Sequence, residues 1–313
     1  MKPRALFRWI FWIVCGIIAS GHTQRPPSST PTANGGDTLT AIWWNVENFF
    51  DTIDDPGVLD EEFTPEGIKQ WNRGRFWWKA RMIAKGLLSA SQGQPPDVIG
   101  LCEVENAQTV QALLSVLPWG WDYWSVHRDG PDPRGIDLVL LYRPDRIAIH
   151  GAHWVQSAYA SREAICATLT TPRGDVSTMW LHLPSQYRPH PRRRLQAIRG
   201  YMDAMDNDGL DLMIGDFNAS PSGPMGAWLR TEGWEPVAPT GAQGSYIYRG
   251  HWEELDQVWR SSSDIITRVD IVPFGLQIHN GRPRIHRTFQ AMKYVGGASD
   301  HLPLRISVCL NDK

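Results

Sequence analysis

Ile214-Gly215-Asp216-Phe217-Asn218-Ala219 is the stretch that decides how the chain is read. Leu212, Met213 and Ile214 form an apolar run after Gly209 and Asp211, as a short buried strand does. Gly215 is expected to break that strand, and Asp216 and Asn218 follow with one residue between them. On an extended backbone, residues i and i+2 point the same way. The pair is therefore expected to face one point at the carboxyl end of a buried strand, where open α/β sheets keep their ligand chemistry. A carboxylate and an amide aimed at one point suit the holding of a water molecule and its steering onto an electrophile. The same residue types also cap strand-end turns, so the rest of the chain has to decide.

The 313 residues allow one large domain or two small ones. The net charge of −2 gives no global basic field, so any site for a polyanion must be local. Lys2, Arg4 and Arg8 precede an apolar run from Trp9 to Ala19. That run is shorter than the roughly 20 residues a bilayer span needs. Residues 1–21 read as a secretory signal cleaved before His22, with Ala19 and Gly21 as the small residues at the cleavage site. An uncleaved membrane anchor is the alternative. Residues 22–37, rich in Pro, Ser, Thr and Gly, read as a disordered linker, and 38–313 as one domain. The expectation is an exported monomer with no stable membrane span after cleavage. Cys102, Cys166 and Cys309 fit neither a zinc site nor a disulfide framework and read as small buried hydrophobes.

Apolar runs that read as strands alternate with helical periodicity at 69–90, 107–117, 191–205 and 225–230, and hairpin-like runs interrupt the order. This pattern predicts two packed mixed sheets with helices on their outer faces. Several strands end in chemically useful residues: Asn45, Glu103, His182, then Asp216 with Asn218. Asp256 interrupts the apolar stretch 255–259, and Asp300-His301 precedes the last strand. One such residue is a cap or an ion pair. Six positions of metal, water or phosphate type together point to a site.

The set Trp44-Asn45, Cys102-Glu103-Val104-Glu105-Asn106, His182-Leu183-Pro184-Ser185, Gly215-Asp216-Phe217-Asn218-Ala219, Leu255-Asp256 and Ser299-Asp300-His301 resembles the endonuclease/exonuclease/phosphatase superfamily. That superfamily includes deoxyribonuclease I and exonuclease III, and the resemblance runs from about residue 40 to 308. An exported bacterial group is closer still. The similarity to it is carried by Phe50-Asp51-Thr52, Asp54-Asp55-Pro56, Glu62-Phe63-Thr64-Pro65-Glu66-Gly67, Asp132-Pro133-Arg134-Gly135-Ile136-Asp137 and a Gly-Ser-Tyr stretch before Leu255.

The resemblance implies a four-layered α/β sandwich, two mixed β-sheets packed face to face, and metal-dependent hydrolysis of a phosphate ester. It implies that Glu103 holds Mg²⁺ or Mn²⁺, with Asn45 in support and Asp300 near the ion. Asp216, beside Asn218, would orient and deprotonate the attacking water. His301, held by Asp256, would contact the phosphoryl oxygens, and His182 would help the leaving group. Oxygen ligands suit such a cation, which neutralises charge as a phosphodiester is attacked. Close relatives commonly carry Trp and Arg where this chain has Leu183 and Gln186, which bears on the local substrate contacts. The expected substrate is a phosphodiester, nucleic acid first. The alternative is a phosphomonoesterase or a phospholipase/sphingomyelinase-type hydrolase on small or lipid phosphoesters. A catalytically inactive surface binding module is a third reading, although such modules lose residues that are all present here.

Other features are read more plainly. Trp78, Met82 and Ile83 at helical spacing are expected in the core, and the acidic loop 54–66, lacking an EF-hand pattern, is expected to be solvated. Arg134 and Arg162 fit phosphate contacts and structural ion pairs equally. Arg188, after His182, and Arg192, on a helix whose core stripe is expected to be Leu195, Ile198, Met202 and Met205, are the candidates for a local polyanion groove. Arg193 is expected to face solvent.

Overall fold

A computed structural model of the chain describes residues 38–118, 121–185, 191–205, 209–261 and 265–310. The expected signal and linker, 1–37, and Arg188 lie outside the described residues. The strands of the first half are β1 (Thr38–Phe49), β2 (Val98–Val104), β3 (Trp124–His127), β4 (Asp137–Tyr142), β5 (Ala148–Gln156), β6 (Glu163–Thr171), β7 (Gly174–His182) and β8 (Leu212–Asp216). The second half adds β9 (Glu235–Pro236), β10 (Thr240–Gly241), β11 (Tyr246–Tyr248), β12 (His251–Glu253), β13 (Asp256–Arg260), β14 (Ile265–Ile271), β15 (Leu276–His279), β16 (Arg282–Ile285), β17 (Phe289–Gln290), β18 (Lys293–Tyr294) and β19 (Leu304–Leu310). Four α-helices are described: α1 (Arg73–Ala90), α2 (Ala107–Val116), α3 (Pro191–Asp203) and α4 (Pro224–Thr231).

One sheet runs β10-β14-β19-β1-β2-β4-β3 and the other β5-β6-β7-β8-β13-β9. Side-chain alternation along a strand explains the layers. In β1, Leu39, Ala41 and Trp43 point between the sheets, where they pack with Val98 and Leu140 of their own sheet and Ile165, Trp180 and Ile214 of the other. The intervening Ile42, Trp44 and Val46 turn outward to Ile83 and Leu87 of α1 and Val110 and Leu113 of α2. On the second sheet Met179, Leu181 and Met213 turn outward to Ala197, Ile198 and Tyr201 of α3 and Met225 and Leu229 of α4. Three apolar clusters therefore separate four layers, the α/β sandwich expected from the sequence.

Several local expectations fail for physical reasons. Gly215 does not break its strand. It lies inside β8, paired with Gln257, at a point where a Cβ would collide with the Leu181 carbonyl oxygen of β7. Glycine is there for close strand approach. Helix α1 starts at Arg73, not 69, because the Asn72 side chain accepts from Arg75 N and caps it. Its buried stripe is Phe76, Ala80, Ile83 and Leu87, which leaves Trp78 48% exposed with its Nε1 donating to Gly296 O. In α3 the buried stripe is Ala197, Ile198 and Tyr201, with Tyr201 Oη donating to Arg162 O at 2.6 Å. Leu195, Met202 and Met205 only flank it, so Arg192 falls off the stripe and is exposed, as is Arg193. Cys102 and Cys166 are buried and Cys309 half-buried, all three as free thiols.

Lys79 sits on the inner stripe of α1, fully buried, and burial lowers its pKa to about 8. Its Nζ donates to Glu47 O and, at 2.6 Å, to Thr288 Oγ1. The ammonium thereby braces the end of β1 against the segment that leads into β17. Lys79→Ala is expected to destabilise the protein by about 3–5 kcal/mol, since it removes a buried cation with its two hydrogen bonds and leaves a cavity. Urea unfolding reads the change; a loss under about 1 kcal/mol would show that the lysine does not brace this junction.

Candidate active site

Strand direction brings the polar strand ends together. β1 and β2 are parallel and reach the same edge with Asn45 beside Cys102; β7 and β8 are parallel, with His182 beside Asp216. β13 is antiparallel to β8 and starts at that edge, Asp256 pairing with Asp216. β19 is antiparallel to β1, so the residues before it, Asp300 and His301, arrive there too. Asn45, Glu103, His182, Asp216, Asn218, Asp300 and His301 all line one cavity of about 530 Å³. Asp256 lies behind His301.

Hydrogen bonds fix the arrangement. Asn45 Nδ2 donates to Glu103 Oε1 at 3.3 Å and to Asp216 Oδ2 at 3.1 Å, so one amide spans both carboxylates. Glu103 Oε2 accepts from Asn48 N at 2.8 Å. His182 Nε2 stands 3.5 Å from Asp216 Oδ2 and 3.8 Å from Glu103 Oε1. His301 Nδ1 donates to Asp256 Oδ2 at 2.7 Å, and its Nε2 lies 4.0 Å from Asp216 Oδ2. Trp43 Nε1 donates to Asp256 Oδ1 at 2.8 Å, which locks that carboxylate from the core side. Trp44 Nε1 holds His301 O at 2.8 Å, and Ser299 Oγ bridges Asn45 O and His301 N.

Asp216 and Asn218 do meet, though by a different route from strand alternation. The strand ends at Asp216, and Asn218 has φ +48. Asn218 N donates to Asp216 Oδ1 at 2.9 Å, an Asx turn, and its Nδ2 donates to Leu183 O. Glu47, Asn48 and Glu103 also have positive φ. For non-glycine residues such backbone costs on the order of 1–3 kcal/mol each, and it concentrates at functional sites.

Burial, with the Asp256 charge adding to it, raises the Asp216 carboxyl to about 7. Burial drives His182 well below the usual imidazole range, reinforced by Arg162 and Arg134, so it is neutral. Burial also works against charge on His301, but the Asp256 carboxylate outweighs it and holds the ring well above the usual range, as an imidazolium. The two histidines of one cavity thus carry different charges.

Sequence reasoning left Arg134 and Arg162 open and missed Glu47, Asn48 and Tyr246; all five line the cavity. Arg162 is both things at once: it pairs with Asp132 Oδ2 at 3.1 Å, donates to Leu183 O, and presents to the cavity. The Tyr246 ring lies 4.9 Å from that of His301. Arg287 joins Glu47, at 3.1 Å, to Asp300, at 2.7 Å. Its signal was faint, one arginine in an irregular segment. Arg192 lines neither this cavity nor the adjoining groove described below.

The donor set fits a hard divalent cation. Glu103, its side chain 15% exposed, forms no ion pair with a Lys or Arg among the described residues, and the cavity also holds the carboxylates of Glu47, Asp216 and Asp300 and no sulfur.

A model of the endonuclease/exonuclease/phosphatase family matches residues 40–225, and the chain belongs to that family. The family comprises phosphoester hydrolases, nucleases and phosphatases among them. Solved structures share the fold. The mannosyl-6-phosphatase Bt3783 of Bacteroides thetaiotaomicron VPI-5482 superposes with a TM-score of 0.57 at 17% identity, covering 86% of this chain and 99% of its own. Beta toxin of Staphylococcus aureus, a double mutant with bound magnesium ions, gives 0.57 at 14% identity, covering 86% and 98%. Among curated proteins, the membrane-bound acylglycerophosphatidylinositol O-acyltransferase MBOAT7 of Bos taurus is 26% identical over 178 residues, 44% of this chain. The match spans only 38% of that relative's length.

Proposed function

We propose that the chain hydrolyses phosphodiesters and that its substrate is a nucleic acid. The observation that supports the chemistry best is the pairing of imidazolium His301 with Asp256, facing Asp216 across 4.0 Å in the cavity that holds Glu103. Glu103, with Asn45 and Asp300 beside it, would hold Mg²⁺ or Mn²⁺, which supplies charge neutralisation at the phosphate. Asp216 Oδ2 takes the proton of the attacking water, and the Asn218 backbone fixes the carboxylate through Oδ1. His301 Nε2, its charge sustained by Asp256, binds a phosphoryl oxygen where negative charge builds. Arg134 and Arg162 add positive charge to the wall near neutral His182, which is assigned to the leaving-group side.

A groove next to this cavity supports the substrate class. It has a volume of about 590 Å³ and is lined by Arg249, His279, Arg282, Arg284 and Arg287, and it meets the catalytic cavity at Asp300. Arg249, Arg282 and Arg284 are exposed. Arg287 is already paired with Glu47 and Asp300, but a chain of net charge −2 that gathers three exposed arginines beside its active site has a local field suited to a polyanion backbone. This reading puts the basic track on Arg282 and Arg284 of β16 with Arg249 nearby; of the two arginines expected from the sequence, Arg192 lines neither cavity and Arg188 lies outside the described residues.

Replacing Arg282 and Arg284 together by alanine is expected to lower kcat/KM on a polynucleotide at least about tenfold. It should also reduce the slope of log rate against log salt by about 2, one per lost phosphate contact. Cleavage of a small chromogenic diester should be unchanged. Equal losses on both substrates would place the arginines in the fold instead. A wild type inactive on DNA and RNA but active on sphingomyelin or sugar phosphates would refute the substrate class and leave the chemistry standing.

A further inference from the structure

The acidic loop after β1 is largely solvated, as its composition suggests, with Asp54, Glu61, Glu62 and Glu66 exposed, but it turns Asp60 inward. Asp60 and Asp55 thereby join Glu105 in a second group of carboxylates outside the catalytic cavity. One oxygen each of Asp55, Asp60 and Glu105 lies within 4.8 Å of the others. They come from three points of the chain: the start of the loop, its inner turn, and the residue after β2. Asp60 is 1% exposed. Its Oδ2 accepts from Asp55 N at 3.1 Å, while its Oδ1 is buried with no hydrogen-bond partner. A buried carboxylate oxygen with no donor is costly, and here it belongs to the group that the other two carboxylates face.

The acids are braced from behind. Glu105 Oε2 accepts from Asp51 N at 2.6 Å and from Asn106 Nδ2 at 3.2 Å. Asp51 Oδ1 accepts from Ile53 N, and its Oδ2 accepts from Asn106 Nδ2 at 3.0 Å. The Asn106 amide cannot turn, because its Oδ1 caps α2 by accepting from Gln108 N and Thr109 N. Among the described residues no Lys or Arg forms an ion pair with Asp51, Asp55, Asp60 or Glu105. The hydrogen bonds hold the three acids in place without supplying positive charge, and burial, with Asp51, Asp55 and Asp60 adding to it, raises Glu105 to about 9.

We propose that Asp55, Asp60 and Glu105 bind a structural calcium ion. Three carboxylates with no nitrogen or sulfur among them select a hard cation. Calcium accepts six to eight oxygens in irregular geometry and so suits ligands gathered from three chain segments; magnesium demands a near-ideal octahedron. The ion would tie the loop to the end of β2. It would also steady the contact in which Leu59 N donates to Pro133 O at 2.7 Å, next to Arg134 of the catalytic cavity. This site does not depend on the proposed phosphoesterase substrate.

The test uses the whole chain, stripped with chelator and held in excess Mg²⁺. Added millimolar Ca²⁺ is expected to raise its melting temperature by at least about 5 °C. Tb³⁺ should bind with sensitised luminescence that Ca²⁺ displaces. Asp60→Asn and Asp55→Asn should each lose the calcium-dependent rise and the displaceable luminescence. Asp55 is only half-buried, so its variant keeps the test alive if Asp60→Asn does not fold. No rise in the wild type, an undiminished rise in the variants, or a rise already complete with Mg²⁺ alone would each overturn the calcium site.

Discussion

Glu103→Ala is expected to leave less than about one per cent of the hydrolytic rate while the protein melts nearly where the wild type does. The residue stands at the end of β2 with its side chain partly open to the cavity. Its carboxylate accepts one hydrogen bond from the Asn45 side chain and one from Asn48 N. Losing two such bonds at a partly solvated position costs about 1–2 kcal/mol at most. Removing one charge from a cavity that also holds Glu47, Asp216 and Asp300 offsets part of that. The positive φ of +63 strains alanine as much as glutamate, so the backbone adds little. Activity and stability should therefore separate. Glu103→Gln keeps the shape and one acceptor oxygen but loses the charge, and it should lose activity as completely as alanine does. Chelator should silence the wild type, and Mg²⁺ or Mn²⁺ should restore it. A wild type fully active in excess chelator, or a Gln variant at the wild-type rate, would remove the metal from the reaction and Glu103 from its role.

What the sequence made legible follows from period. Leu39, Ala41 and Trp43 alternate with Ile42, Trp44 and Val46, and that alternation is the division between inner and outer layers. The strand-end residues were legible because parallel and antiparallel pairing both deliver them to one edge, whatever the intervening loops do. Trp78 was misread because the apolar residues of α1 outnumber its core stripe: Phe76 and Ile83 point in, while Trp78 covers Gly296 at the surface. Gly215 was read as a breaker because close approach of β7 to β8 is a tertiary fact with no local mark. Arg282 and Arg284 were invisible for a similar reason. They sit on the polar face of a short hairpin, opposite Leu276, Ile278, Pro283 and Ile285, and only the fold brings it beside Asp300. The acidic loop is solvated as expected except at Asp60, whose inward turn composition cannot show.

His301 and Asp256 are expected to act as one unit in turnover. Asp256 is buried, and both its oxygens are occupied, one by Trp43 Nε1 and the other by His301 Nδ1. It touches the cavity only through the imidazole. The imidazole in turn owes its charge to that carboxylate, since burial alone would drive the ring neutral. His301→Ala should lower kcat at least about a hundredfold, the scale of one charged contact to a developing oxyanion. Asp256→Asn should approach the same loss, because an amide beside Nδ1 no longer favours the imidazolium and leaves Nε2 a weaker partner for a phosphoryl oxygen. With the ring gone, Asp256 has nothing left to charge, so the double variant should be scarcely slower than His301→Ala. Asp216→Asn should also cost at least about a hundredfold, through a different act. The amide keeps only one of the two acceptors that Asn45 Nδ2 and Asn218 N use in the wild type, and it cannot take a proton from water. Kinetics of the single and double variants on one small diester decide the matter. If the losses from His301→Ala and Asp256→Asn multiply, the two do not work through each other, and the role of Asp256 as the support of His301 fails.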